Sequence, residues 1–269
     1  MLSPLYGQLS PLRVPTKTER VISADADVVS YILAVEAADG QQLEQGVITA
    51  VESFILGCKS DGIWSAIKAS CILAGARTLN GALVPLTGTA PRNFNFVSGD
   101  YDRETGLKGN GSTKYLDSNR ADNADPQNSK HASVFVQTGG GGAYLGAITT
   151  DGSLDGTQII SNTGGFFRVN SDVSYTSGNF NTATGLVAAN RSNSTQLTYR
   201  INGFSNTVSN ASAASQSSTI FIFRRRYISS SPIPTDARLQ FYSIGESLDL
   251  AALDPRVSTL MTDLAAAIP

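Results

Sequence analysis

From Trp64 to about Ile244 the apolar residues recur in short alternating runs broken by turn chemistry, with no sustained helical period. Ile67, Ala69, Cys71 and Leu73 alternate with smaller or polar residues, and Val134 and Val136 do the same within Ser133–Thr138. Thr219–Phe223 has the β-branched and aromatic content of a buried strand. Asn80-Gly81, Asn110-Gly111 and Asn202-Gly203 are two-residue turn signals, because both residue types tolerate positive φ. Strands that follow one another through turns, without helices between them, predict an antiparallel β-sandwich or jelly roll.

Helical periods stand at the two ends of this region. Ser23 or Asp25 can cap a first helix striped by Val28, Tyr31, Ile32 and Val35 and ended by Gly40. Leu43, Val47, Val51, Phe54 and Ile55 give a second apolar face, and Asp61-Gly62 then turns the chain. Residues 23–62 therefore read as a helical hairpin, an assembly segment. At the other end Asp254-Pro255 supplies an N-cap and a first-position proline for a closing helix over 254–267. Its stripe is Leu253, Val257, Leu260, Met261 and Leu264, so residues 63–269 read as a jelly roll with its own C-terminal helix. Residues 1–22 read as an extended docking arm, since Pro4, Pro11 and Pro15 exclude helix and central strand. Leu2, Leu5, Tyr6, Leu9 and Leu12 give it the apolar content to pack on a partner, a frayed terminus being the alternative.

Composition excludes several function classes. Charged residues make up only 16% of the 269, and the net charge is −2. Ser, Thr, Asn and Gly supply roughly a third, well above their usual share. That balance argues against a nucleic-acid partner held by phosphate neutralisation. No apolar run reaches the length of a membrane-spanning helix, so membrane insertion is not expected. MLSPLYGQLSPLRVPTK has no basic region followed by an apolar one, and no secretory signal is read there. Cys58 and Cys71, beside a single histidine, support neither a disulfide framework nor a zinc site and read as buried thiols.

Four stretches of the β region carry a family likeness: Gly106–Leu116, Ala132–Thr138, Gly185–Gly203 ending Tyr199-Arg200-Ile201-Asn202-Gly203, and Arg238–Glu246 followed by a helix. In that order they resemble the concanavalin A-like lectin/glucanase superfamily, particularly the laminin-G-like jelly rolls of phage virion proteins. The resemblance covers roughly residues 64–269. It implies a two-sheet jelly roll used in many relatives for carbohydrate or receptor binding, and a virion setting. The expected protein is thus a structural component of a tailed-phage particle, a tail or tail-fibre protein. The expected partners are other virion proteins met through the arm, further copies of itself in a closed oligomer, with a trimer favoured, and a host surface glycan. A capsid decoration or head-fibre protein, and a carbohydrate-binding module or polysaccharide-degrading enzyme, are the alternatives.

Enzyme chemistry finds little support. Glucanases of this fold carry closely spaced carboxylates on one strand, because an acid and a nucleophile must flank one glycosidic bond. No Glu-x-Asp-x-x-Glu occurs here, and Glu246 and Asp249 fall where a strand meets a helix. His131 has no nucleophile motif beside it. No catalytic residue, cofactor or metal site is therefore assigned, and the loosely alternating Asp100, Asp102 and Glu104 read as solvated charge. Gly139–Gly142 lacks the Lys-Ser/Thr of a phosphate cradle and reads as a flexible hairpin loop. Arg224-Arg225-Arg226 could recognise an acidic glycan through bidentate forks, or could protect a sheet edge or join subunits. A sugar site would combine such arginines with aromatics in or near loops: Tyr144, Tyr175, Phe180, Tyr199 or Tyr227, most of which should instead be core or inter-sheet packing. Arg224, Arg226, Tyr199, Asn202 and Tyr144 are the candidate ligand contacts.

Overall fold

The computed structural model describes residues 22–148, 156–162, 164–215, 217–226 and 232–269. The expected arm with Leu2, Leu5, Tyr6, Leu9 and Leu12 lies outside them, as does Tyr227. Two helices come first, α1 (Ala26–Asp39) and α2 (Gln45–Ser60). Next are β1 (Ile67–Ile72), the short helix α3 (Leu79–Ala82), β2 (Arg92–Phe94), β3 (Tyr101–Asp102), β4 (Gly106–Lys108) and β5 (Tyr115–Ala121). Then follow β6 (Lys130–Thr138), β7 (Ala143–Ile148), β8 (Gly156–Ile160), β9 (Phe166–Ser171), β10 (Tyr175–Thr176) and β11 (Gly185–Arg191). The chain finishes with β12 (Gln196–Ile201), β13 (Phe204–Ser209), β14 (Thr219–Ile222), β15 (Arg225–Arg226), β16 (Arg238–Gly245) and α4 (Leu250–Ala267).

The strands make two eight-stranded sheets, as the alternating pattern predicts. Sheet I runs β13-β12-β11-β6-β16-β4-β3, with β1 also on β16; sheet II runs β10-β9-β8-β7-β14-β5-β2, with β15 on β7. Pairing is antiparallel except for β15 against β7. Alternate residues of sheet I, among them Val134, Val136, Val187 and Ile244, meet Leu145, Ile159, Phe167 and Ile222 of sheet II in the core between the sheets. The other face of sheet I is also apolar. Phe135, Leu186, Ala188 and Phe241 share a second core with α1, α2 and α4. Each Leu- or Phe-sized side chain so buried contributes roughly 1.5–3 kcal/mol. The molecule is therefore three layers: helices, sheet I, sheet II. The apolar faces of α1 and α2 share a core with the chain's own sheet, with α2 lying chiefly along α4 and α1 along α3.

Several local expectations are corrected. The closing helix starts at Asp249, whose carboxylate accepts from the Ala251 amide at 2.8 Å, and not at Asp254. Starting earlier buries Leu250 and frees the Asp254 carboxylate to pair with Arg200 of β12 at 2.6 Å, while Pro255 sits inside the first turns. Asn80-Gly81 lies within α3, where the Thr78 hydroxyl caps the Gly81 amide, so no hairpin forms there. Asn110-Gly111 joins β4 of sheet I to β5 of sheet II and is a crossing between layers. Gly139–Gly142 likewise carries the chain from β6 to β7, between sheets. A Cβ at Gly142 would lie 2.1 Å from the Pro234 carbonyl, so this is a packed crossing and not a flexible loop. Asn202-Gly203 does form the β12–β13 hairpin, both residues having positive φ.

Among the described residues two cations are fully buried. Arg191 donates only to carbonyl-type oxygens, including Val169 O at 2.7 Å and Asn210 O at 2.8 Å. Lys130 of β6 pairs with Asp122 at 2.5 Å and reaches Asn170 Oδ1 at 3.2 Å. Removing one member of such a pair strands the other charge, whereas replacing both need not be costly. Lys130→Ala should lower unfolding stability by about 3–5 kcal/mol, and the Lys130→Met/Asp122→Leu double variant by less. Urea denaturation of both checks this, and equal losses would show that packing alone matters at the site.

Candidate binding face

β14 lies between β7 and β5 in the middle of sheet II, and Arg225–Arg226 follow it as β15, a two-residue strand whose one strand partner among the described residues is β7. The chain reaches this position through Phe223, which is fully buried with φ +67°. Positive φ on a bulky residue is rare and costs on the order of 1–3 kcal/mol. The Phe223 ring is anchored edge-on against Phe96, centroids 4.9 Å apart, and its amide donates to Tyr144 O at 2.8 Å. Ile222 and Phe223 are consecutive and both buried between the sheets, so the kink shifts the strand alternation by one residue, and Arg224 and Arg226, two residues apart, both lie over aromatic rings on sheet II.

Those rings form a row. Phe94 of β2 stacks on Tyr115 of β5 at 4.4 Å, and Tyr115 on Phe221 of β14 at 4.7 Å. β2 pairs Phe94 directly with Tyr115, and β5 pairs Asp117 with Phe221, which sets the three side chains side by side. A guanidinium lies over each ring: Arg92 over Phe94 (5.4 Å), Arg224 over Tyr115 (4.7 Å) and Arg226 over Phe221 (5.2 Å). Such contacts contribute roughly 0.5–2 kcal/mol each and fix the cations in place. Arg226 also donates to Thr219 Oγ1 at 2.8 Å. None of the three forms an ion pair among the described residues, and Arg224 Nε is buried without an acceptor there. The rings are half-buried and Arg92 is exposed, so the row borders solvent. It is a rigid cationic strip on a protein of net negative charge.

The other candidate contacts lie elsewhere. Tyr144 is fully buried in the core between the sheets and can touch no surface ligand. Tyr199 joins a second row, stacked on Phe167 (4.9 Å) and Tyr175 (5.3 Å), which closes the core beside the β12–β13 hairpin. Asn202 is in the turn of that hairpin, and Phe180 is buried against Phe167. Sequence reasoning missed Arg92, Phe94, Tyr115 and Phe221. The alternation Arg92-x-Phe94 was the available signal, and Phe221 was concealed inside a run that reads as wholly buried.

The groups weighed for catalysis, metal binding or thiol chemistry have partners or are buried. Asp102 accepts from Thr105 Oγ1 (2.7 Å), Thr105 N and Glu104 N, which holds its carboxyl below the usual range; Asp100 pairs with Lys114. Glu246 pairs with Lys68 at 3.0 Å. Cys58 and Cys71 are buried, and burial pushes both thiols up to about 12. Among the described residues no cluster of His, Cys, Asp or Glu is arranged to hold a metal ion, and no helix is long and apolar enough to cross a membrane.

His131 is unexpectedly well connected. Its Nδ1 donates to Glu246 O at 2.6 Å, so Nε2 accepts from Ser243 Oγ at 2.9 Å, which in turn accepts from Ser133 Oγ at 2.7 Å. A serine beside a histidine is thus present, but all three side chains are sealed under the helical layer, where no substrate reaches them.

No protein-family model matches the chain, and no curated protein matches it by sequence. Among solved structures the chain is similar to the binding domain of botulinum neurotoxin serotype D, at 10% identity and TM-score 0.47, over 76% of this chain and 52% of that one. It is similar to domain 4 of an extracellular GH43 arabinanase from Geobacillus stearothermophilus, in complex with arabinotriose, at 13% identity and TM-score 0.39, covering 66% and 82%. A Trypanosoma rangeli sialidase mutant displaying trans-sialidase activity gives 12% identity and TM-score 0.44, covering 80% and 39%. The chain spans about half the length of the toxin domain.

Burial of the imidazole lowers the His131 pKa from 6.5 to about 4, the nearby charges being Asp125, Arg120 and Lys130. The folded state therefore disfavours the proton that the unfolded chain takes up. Stability from this group is complete above about pH 6.5 and falls as the pH drops towards 4, by up to ~3 kcal/mol. Unfolding free energies at about pH 7 and pH 4.5 should differ less in His131→Asn than in the natural protein, and equal differences would rule out this linkage.

Proposed function

We propose that the chain is a non-enzymatic glycan-binding β-sandwich whose arginine–aromatic strip takes an acidic saccharide. The observation that carries this reading is the set of three guanidinium groups held over ring faces without a described carboxylate partner. A sugar carboxylate or sulfate would supply the missing anion through fork-shaped contacts. The ring faces are already covered by one another and by the guanidinium groups, so a sugar would lie across their edges. Charge, more than stacking, would set the affinity. Thr219 Oγ1, beside Arg226, offers a neutral hydrogen-bonding group for hydroxyls.

The biological setting proposed for this activity is a tailed-phage virion, in a tail or tail-fibre protein forming a closed oligomer. Its support is the family resemblance of residues 64–269 together with the proline-punctuated, apolar segment 1–22, which would attach to other virion proteins. Removing residues 1–22 should abolish association with the particle while the sandwich stays folded by circular dichroism.

Calorimetric titration with 3′-sialyllactose, a glucuronic-acid oligosaccharide and neutral lactose tests the glycan reading. At least one acidic sugar should bind, lactose should not, and the Arg224→Gln/Arg226→Gln variant should bind at least about tenfold more weakly, as loss of one charge-assisted contact implies. Equal binding of lactose, or unchanged binding by the variant, would overturn the assignment. Release of reducing ends from a bound polysaccharide would show an enzyme instead.

A further inference from the structure

A separate site lies on the opposite side of the molecule, where α4 does not completely cover sheet I. Between α4 and the ends of β6 and β16 a cleft of about 380 Å³ opens. Phe135 and Met261 give it an apolar wall, Ser258 and Thr262 of α4 add hydroxyls, and Glu104 is its one formal charge. Gln240, 2% exposed, also lines it.

Gln240 is held there by two departures from regular structure. Leu239 pairs with Val136 and Phe241 with the adjacent Phe135, so Gln240 is the extra residue of a β-bulge, a device that re-aims a side chain. Facing it is Gly106, at φ +91°, where a Cβ would lie 2.3 Å from Leu239 O and 2.9 Å from Gln240 Cγ. Only glycine leaves room for the amide. Gln240 Nε2 donates to Glu104 O at 2.7 Å, which fixes the orientation of the amide. Its Oε1 is buried and meets no donor among the described residues. An orphaned buried acceptor costs about 1–3 kcal/mol, a cost that a ligand donor would remove.

We propose that this cleft binds a small neutral polyhydroxylated molecule, of the size of one sugar ring, with a ligand hydroxyl donating to Gln240 Oε1 and its apolar side against Phe135 and Met261. Anions are disfavoured by Glu104, and the absence of any lining cation distinguishes this site from the strip on sheet II. Its ligand therefore belongs to a different class, and the proposal does not depend on the acidic-glycan reading.

The test is a nuclear magnetic resonance titration of the full chain with glucose, galactose and N-acetylglucosamine, following the Gln240 side-chain amide and the Met261 methyl. At least one sugar should shift both signals saturably. Gln240→Met, which keeps the volume and removes the acceptor, should weaken binding about tenfold or more. Thr262→Trp, at an exposed helix position, should block the mouth and abolish the shift, and it carries the test if Gln240→Met does not fold. Arg224→Gln/Arg226→Gln should leave the titration unchanged. The proposal is overturned if none of the sugars gives a saturable shift, if Thr262→Trp responds like the natural protein, or if a crystal soaked in the sugars shows only a water on Gln240 Oε1.

Discussion

Sheet I is apolar on both faces, and most of the molecule's organisation follows from that fact. A strand such as β6, with Val134 turned to one core and Phe135 to the other, cannot leave either side wet without exposing several large side chains. One side is met by sheet II and the other by α1, α2 and α4. The helices are therefore a required cover, and the Arg200–Asp254 pair ties that cover to β12. Among the described residues the outer face of sheet II, the sandwich margins, the outward sides of the helices and the gap that α4 leaves beside Gln240 face solvent.

On sheet II the decisive element is one residue. Without the positive φ of Phe223, regular alternation from the buried Ile222 would turn Phe223 outward and direct Arg224 and Arg226 towards the apolar interior. The kink costs some backbone energy, but burial of the Phe223 ring between the sheets is worth a comparable amount. The same residue thus anchors the strand and aims the arginines outward. Stacking then does for the guanidinium groups what burial does for a core side chain: it removes rotamer freedom before any ligand arrives.

The fold was legible because it rests on periodicity. The alternation through Ile67–Leu73 and Ser133–Thr138, the stripes of the first two helices and the Asn202-Gly203 turn are local signals, and each has the local structure it predicts. What was not legible depended on partners distant in sequence. Asp254 reads as a cap until Arg200, 54 residues away, takes its carboxylate. Asn110-Gly111 and Gly139–Gly142 read as hairpin turns because sequence does not say that the next strand joins the other sheet. The candidate site divides in the same way. Arg224 and Arg226 were visible as a charge run, whereas Phe94, Tyr115 and Phe221 become a row only when β2, β5 and β14 are laid side by side. Tyr144, selected as an aromatic near a loop, follows the packed Gly139–Gly142 crossing and is fully buried between the sheets.

Composition takes on a different meaning in this light. A net charge of −2 with few charged residues generates no strong field around the whole molecule. Any attraction of an acidic ligand must then act within about one Debye length, roughly 8 Å at physiological salt. Recognition at the strip would depend on contact geometry and not on long-range steering, which is the regime in which pre-set guanidinium groups matter most. The hydroxyl- and amide-rich exterior contributes in the opposite sense. It competes poorly with water for a neutral sugar except where a group has already lost its water, and Gln240, which lines the cleft beside α4, carries such a group in its buried Oε1.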